Sequence, residues 1–378
     1  MEYTKTELHT HLVGILSAEE FIYFLKFFGV QTIHWPLSYN KIVELDEILD
    51  NPKYLSALEV KRGTSVSYSA LHSLYEVRTE MLKETVDMVS KAHGLSKNKA
   101  NQEVFNSLIN HSLRSLVNQG VEYTEISYSF PDRIANFKID PDLRDKIKCR
   151  FLLSTQRSNP VSSPIKEINT FERIASKLET VLKSGNAIGF DIMGEESKLT
   201  DEERDYDNLQ NSFKRKLELI FKVLVKHEDS VFRIHSGETS CSFDNTITVL
   251  RMLDEVIDEY CIANGVAREE VKLPEFRIGH GIYFDPSSEY LDLLHKLGVI
   301  IEINVSSNVA LGNVGSQFDV PYKYYVSNDV PIVISTDGHG LYDTTLSRED
   351  RIAMICLGTY KYKKVKDFDD QILDRKVM

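Results

Sequence analysis

Short runs rich in β-branched and apolar residues alternate with longer stretches of helical periodicity along the whole chain, which is the signature of βα units around a parallel sheet. Eight runs read as strands, ending near Leu8, Tyr128, Leu153, Asp191, Ile234, Ile278, Ile303 and Ile334. Amphipathic segments such as Phe213 to His227 and Phe243 to Asn264 lie between them. Eight such units predict an α/β fold, a closed (β/α)8 barrel of the TIM type, which takes about 250 residues. The chain has 378, and the first strand-to-strand gap absorbs most of the surplus. Three or more helices fit between Leu8 and Val121: Ser17 to Phe28, Val66 to Ala92 and Ala100 to Gln119. This insertion, about residues 13–120, is expected to cap the barrel mouth as a lid, with residues 1–378 forming a single domain. The charge-rich Glu195 to Asp207 stretch and the tail from Tyr360 to Met378 read as solvated surface.

Composition narrows the partners. With 42% hydrophobic and 27% charged residues, a chain of this length buries a large core, which excludes disorder and peptide-scale scaffolds. The 57 acidic and 45 basic residues leave a net charge of −12. Such a field repels phosphate backbones and anionic membranes, so small molecules are the expected partners and nucleic acid and membrane are not. No run approaches the roughly 18–20 uncharged apolar residues of a bilayer span, and Met1 to Lys5 lacks the build of a signal peptide. The expectation is a cytoplasmic protein, compatible with a homo-oligomer or a protein complex. Cys149, Cys241, Cys261 and Cys356 form no CxxC pair and suggest neither a disulfide framework nor a thiolate metal site.

His9 and His11 flank Thr10 at the end of the first strand, and a spacing of two puts both imidazoles on one side of an extended chain. Two histidines are two thirds of a three-ligand zinc site, although an HxH pair alone also fits simple packing. Three more groups fall at strand ends, in Arg233-Ile-His-Ser-Gly-Glu238, Arg277-Ile-Gly-His-Gly281 and Ile334-Ser-Thr-Asp-Gly338. Strand C-termini of a barrel meet at one face, so His235, Glu238, His280 and Asp337 are expected to converge with His9 and His11.

These residues resemble the adenosine deaminase family of the amidohydrolase superfamily. Thr6-Glu-Leu-His-Thr-His-Leu12 resembles its first-strand metal motif, Glu122 to Ser129 its second strand and Phe190-Asp-Ile-Met-Gly-Glu-Glu196 its fourth. His235-Ser-Gly-Glu238, Arg277 to Gly281, Ser306-Ser-Asn308 and Ser335-Thr-Asp337 resemble its later motifs, in order. The resemblance implies one zinc per chain, held by His9, His11, His235 and Asp337. It implies Glu238 as the proton-shuttling acid/base that protonates purine N1, His280 as the group orienting the attacking hydroxide, and Gly194 as the contact to N3. A zinc-bound water of pKa about 7 is a nucleophile at neutral pH. A two-metal relative would use a lysine on the fourth strand, and Ala187 to Asp191 has none.

Two departures bear on the substrate. Val13 stands before Gly14 where the family usually has a polar or acidic residue near the ribose 5′ end. Gly338 follows the metal aspartate where the family has a second Asp on purine N7; His339 is either its replacement, alongside His11 in binding substrate, or a loop residue facing water. Without a carboxylate at Val13 a 5′-phosphate is tolerated, and Arg62 in Lys61-Arg62-Gly63 is the candidate cation for it, against the plainer reading of a solvated pair. The expected function is hydrolytic deamination of adenosine, deoxyadenosine, AMP or dAMP. The alternative is a barrel that binds a nucleotide or assembles with partners, as in a bacterial antiviral system, with little turnover.

Overall fold

The computed structural model describes residues 3–38, 41–157, 164–194, 196, 213–240 and 243–377. Its strands in chain order are β1 (Thr6–His11), the antiparallel pair β2 (Thr32–His34) and β3 (Ile42–Glu44), then β4 (Tyr123–Tyr128), β5 (Lys148–Gln156), β6 (Ala187–Met193), β7 (Val231–Ser236), β8 (Glu275–His280), β9 (Ile300–Ile303) and β10 (Ile332–Ile334). β1 and β4 to β10 form one eight-stranded parallel sheet ordered as in the sequence. Its edges meet just beyond β10, where Asp337 N donates to His9 O at 2.9 Å and His11 N to Asp337 O at 3.2 Å. This is the expected (β/α)8 barrel, closed through the residue that also carries a candidate metal ligand.

The first strand runs to His11, three residues past the expected end, because its alternate residues Glu7, His9 and His11 are polar and the run does not read as apolar. The helices of the insertion fall where periodicity puts them. Ala18–Phe27 starts in a capping box, with Ser17 Oγ accepting from Glu20 N and the Glu20 carboxylate accepting from Ser17 N. Tyr68–His93 ends at left-handed Gly94. It packs along Lys97–Asn118.

One expectation of solvated surface is corrected. The tail forms the helix Thr359–Val377, which buries Tyr362, Val365 and Ile372. Its Asp369 accepts from Lys5 N (2.9 Å) and from Thr6 Oγ1 at the start of β1. The charged residues of the tail outnumber the apolar positions that anchor it, which masks the buried face. The Glu195 to Asp207 stretch lies outside the described residues except for Glu196, which is buried.

Period-two alternation sends every second strand residue into the barrel. Hydrogen bonds that cross between non-neighbouring strands identify these positions: Arg277 of β8 reaches Glu125 of β4, and Arg233 of β7 reaches Leu8 O of β1. His9 and His235 lie two residues above Glu7 and Arg233 on the same faces, one layer nearer the strand C-termini.

Candidate active site

His9, His11, His235, Glu238, His280 and Asp337 converge at the C-terminal mouth of the barrel. Ligand-capable atoms of His9, His11 and His235 lie within 4.8 Å of one another, as do those of His9, His280 and Asp337, and those of His235, Glu238 and His280. Local backbone serves this convergence. His280 and Asp337 occupy the left-handed region, φ 74° and 64°, uncommon for side chains other than glycine and a mark of positions shaped by function. Gly279 lets the rings close over the strand: a Cβ there would stand 2.7 Å from His9 Cε1 and 3.3 Å from His235 Cδ2.

The donor atoms fit a cation. His9 Nδ1 donates to Glu302 Oε2 at 2.8 Å, so Nε2 carries the lone pair and points into the cluster, where it has no hydrogen-bond partner. His235 Nε2 is likewise unpartnered, 3.4 Å from Asp191 Oδ1. Asp337 Oδ1 stands 3.4 Å from His11 Nε2 and 3.7 Å from His9 Nε2. A tetrahedral ion with bonds of about 2.0–2.1 Å separates its ligand atoms by roughly 3.4 Å, so these spacings match a metal shell better than a hydrogen-bond network. Buried lone pairs left without hydrogen bonds are rare unless something else satisfies them. His9, His11, His235 and Asp337 can therefore hold a metal ion.

Electrostatics separate the roles. Burial pushes His9 and His280 well below the ordinary imidazole value and His11 down to about 3, so all three stay neutral. Burial opposes charge on His235 too, but the Asp191 carboxylate outweighs it and raises the group. Glu238 is pushed up to about 8 by burial, against the pull of His235 and with the support of the negative charges of Asp337 and Glu196. Asn308 Nδ2 donates to His280 Nδ1 at 3.1 Å, which leaves an N–H at Nε2, 3.8 Å from Glu238 Oε1.

Above the cluster lies a cavity of about 280 Å³. Val13 and Gly194 line it, the latter at φ 98°. So do Tyr75 of the inserted helix and Tyr342. His339 and Arg62 do not. Gly338 packs on Gly14, where a Cβ would meet its Cα and O at 3.1 Å, and the chain turns away, Gly340 N donating to Ile15 O. His339 is thereby carried to the far side of that contact, with Nε2 3.1 Å from Ser115 Oγ, beside a separate cavity. It neither lines the cavity above the cluster, where an N7 contact would require it, nor faces water. Arg62 is exposed, and its guanidinium is committed to Asp343 O (2.7 and 3.0 Å) and Oδ1 (3.1 Å). Its guanidinium is thus engaged outside the cavity above the cluster.

Sequence reasoning missed the supports of the cluster: Glu302 under His9, Asp191 beside His235, Asn308 behind His280. A signal existed for the first two. Each is a lone carboxylate inside an apolar strand, Ile300–Ile303 and Phe190–Ile192, which is costly unless partnered. Tyr75 carried none, because an aromatic on an amphipathic helix reads as core.

Residues 263–373 match the adenosine deaminase family model. Among curated proteins, the adenosine deaminase of Enterococcus faecalis is 35% identical over 81 residues, 21% of this chain and 24% of that protein. The chain spans about a quarter of the length of the curated relatives it matches. Similarity over nearly the whole length is structural. The apo N6-methyl-AMP deaminase of Arabidopsis thaliana has TM-score 0.59 at 16% identity, covering 99% of this chain and 96% of that one. A Burkholderia ambifaria amidohydrolase with bound Zn has TM-score 0.58 at 14% identity, covering 96% and 84%. These two establish the barrel. The matched C-terminal segment, under a third of the chain, includes β8, His280 and Asp337.

Proposed function

We propose that the protein catalyses zinc-dependent hydrolytic deamination at C6 of an adenine nucleoside or its 5′-mononucleotide, releasing ammonia and leaving the 6-oxo purine. The observation that carries this reading is the buried carboxyl of Glu238 beside a cluster of buried histidine and carboxylate atoms without hydrogen-bond partners. His9, His11, His235 and Asp337 would hold one zinc per chain. When bound, the ion supplies a nucleophile at neutral pH by lowering the pKa of a water ligand to about 7.

The chain's own groups do the rest. Glu238 donates to purine N1 and makes C6 electrophilic; the proton it gives up is replaced from the nucleophile. His280 presents its Nε2–H to the developing charge, oriented by Asn308. Gly194, with no Cβ, lets backbone approach the N3 edge. Tyr75, Leu71 and Tyr68 of the insertion wall the cavity, consistent with a lid that excludes water within a single domain.

The relative from E. faecalis is named an adenosine deaminase and the Arabidopsis neighbour an N6-methyl-AMP deaminase, and the Burkholderia neighbour holds Zn. The first two names support a small-molecule adenine substrate, and the third supports this metal. Glu238 favours turnover over a pure nucleotide-binding role, for which an acid/base is of no use. The test is a spectrophotometric screen of adenine, adenosine, deoxyadenosine, AMP, dAMP and ATP, with zinc quantified in the same preparation. Turnover of none of them by zinc-loaded protein sinks the reading.

A further inference from the structure

Glu196 takes no part in the chemistry described so far, yet its carboxylate is completely enclosed and four donors are turned on it. Its Oε2 accepts from Glu238 N at 2.8 Å, and its Oε1 from Ser236 Oγ at 3.0 Å and Asn245 Nδ2 at 3.2 Å, with Arg157 Nη1 at 3.6 Å from Oε1. Its backbone O accepts from Thr239 Oγ1 at 3.0 Å. Hydrogen bonds to a carboxylate are about twice as strong as neutral ones. Burial of that charge is offset by Arg157, whose own guanidinium also donates to His235 O.

The positions matter more than the count. The donors Ser236, Glu238 and Thr239 span the turn between the metal-ligand candidate His235 and the acid/base, and that turn passes through Gly237 at φ 70°. The turn is closely packed, since a Cβ on Gly237 would strike Tyr283 O at 2.3 Å and Thr246 Oγ1 at 2.9 Å. Glu196 itself lies two residues beyond Gly194, the cavity residue at the end of β6. One buried carboxylate thus ties the segment that meets the base to the segment that delivers the proton.

We propose that Glu196 is a positioning residue for Glu238, fixing the acid/base relative to the purine, so that its loss lowers turnover while substrate affinity, metal and fold are kept. This rests on the deaminase reading above. A misplacement of 1 Å costs roughly a hundredfold in rate, and Glu196→Gln sets an NH2 against one of the donors at full side-chain length.

The experiment compares wild type, Glu196→Gln and Asn245→Ala, all zinc-loaded, for kcat, KM, zinc equivalents and melting temperature, on the best substrate of the screen. Glu196→Gln is expected to lower kcat by roughly a hundredfold with KM within about threefold, and Asn245→Ala to show the same split at about tenfold, since it removes one donor to Oε1 and leaves Ser236 Oγ on that oxygen. Wild-type kcat in a folded Glu196→Gln overturns the proposal, as does a loss confined to KM or accompanied by loss of zinc. If Glu196→Gln does not fold, Asn245→Ala decides: a selective fall in kcat supports the clamp and unchanged kcat overturns it. A wild type that turns over nothing in the screen refutes the deaminase reading instead, which keeps the two failures apart.

Discussion

Two successive layers of the barrel interior treat buried charge in opposite ways. In the lower layer Arg277 meets Glu125 Oε2 at 2.7 Å and Glu302 Oε1 at 3.0 Å, and Arg233 meets Asp191 Oδ2 at 2.9 Å and Glu302 Oε2 at 3.4 Å. Arg277 is held well above its ordinary value, because its carboxylates outweigh the burial that opposes its charge. One layer up, His9 Nε2 and His235 Nε2 have no hydrogen-bond partner, nor has the second oxygen of Asp191, Oδ1, which faces His235 from the lower layer. The fold is able to neutralise charges in this space and does so below. Leaving them open above reserves them for a ligand. The layers are joined, since Glu302 holds Arg277 with one oxygen and His9 Nδ1 with the other. The paired layer is thus the foundation that fixes the tautomer and orientation of the open one.

The largest effect is expected from breaking the lower layer. Arg277→Met leaves Glu125 and Glu302 buried without that partner, and removing one member of such a network typically costs about 3–5 kcal/mol. Urea unfolding of the variant measures it. A loss below about 1 kcal/mol would mean that the network is not holding the barrel and that the contrast between layers is one of appearance.

The upper layer should answer in function. Glu238→Gln is expected to keep zinc and melting temperature but lower kcat by at least about a hundredfold, near 2.7 kcal/mol of barrier, because an amide cannot shuttle protons. Zinc analysis beside steady-state kinetics checks it. Loss of zinc in this variant would make Glu238 a ligand and move it to the metal shell.

How far each layer could be read from sequence follows from its chemistry. The open layer was legible because strand ends of a barrel converge, so His9, His235, His280 and Asp337 announced themselves by position and type. The paired layer was not: whether Arg233 and Arg277 face in or out depends on register, and a one-residue slip reverses it. His339 and Arg62 were misplaced for another reason. Their positions depend on the backbone contact of Gly14 with Gly338 and on the local partner Asp343, neither of which a linear pattern encodes. The eight strands and long helices were visible because periodicity is strongest there; the β2–β3 pair, only three residues a side, fell below it.

Gly279→Ala tests the packing of the open layer without touching a ligand. Its new methyl would stand 2.7 Å from His9 Cε1 and 3.3 Å from His235 Cδ2, so the His9 ring must shift and the His235 ring give by a few tenths of an ångström. Metal affinity is expected to fall by about tenfold, the lower range for disturbing supports of a metal site, with little change in melting temperature. Competition with a zinc chelator reads it. Unchanged affinity would mean that the rings have slack, weakening the idea of a pre-set shell.

The smallest effect sharpens the comparison at the base of the barrel, where one carboxylate escapes the rule of pairing. Asp369 takes hydrogen bonds from Lys5 N and Thr6 Oγ1, but its nearest cation, Lys366 Nζ, stands 3.8 Å away. Burial raises it from 3.8 to about 6, with those hydrogen bonds and Lys366 opposing. A carboxylate raised in the fold takes up a proton on folding between these two values. Its stabilising contribution is full below about 3.8 and is lost as the pH rises through about 6. Between pH 5 and 7 wild type should therefore lose roughly 1 kcal/mol relative to Asp369→Asn, whose amide does not titrate. Urea unfolding of the pair at pH 5, 6 and 7 isolates this term, because histidines and other carboxylates are common to both proteins and cancel in the difference. A difference that stays flat across this window would show that Asp369 is ionised at ordinary pKa and paired after all, extending the rule of the lower layer to the barrel base.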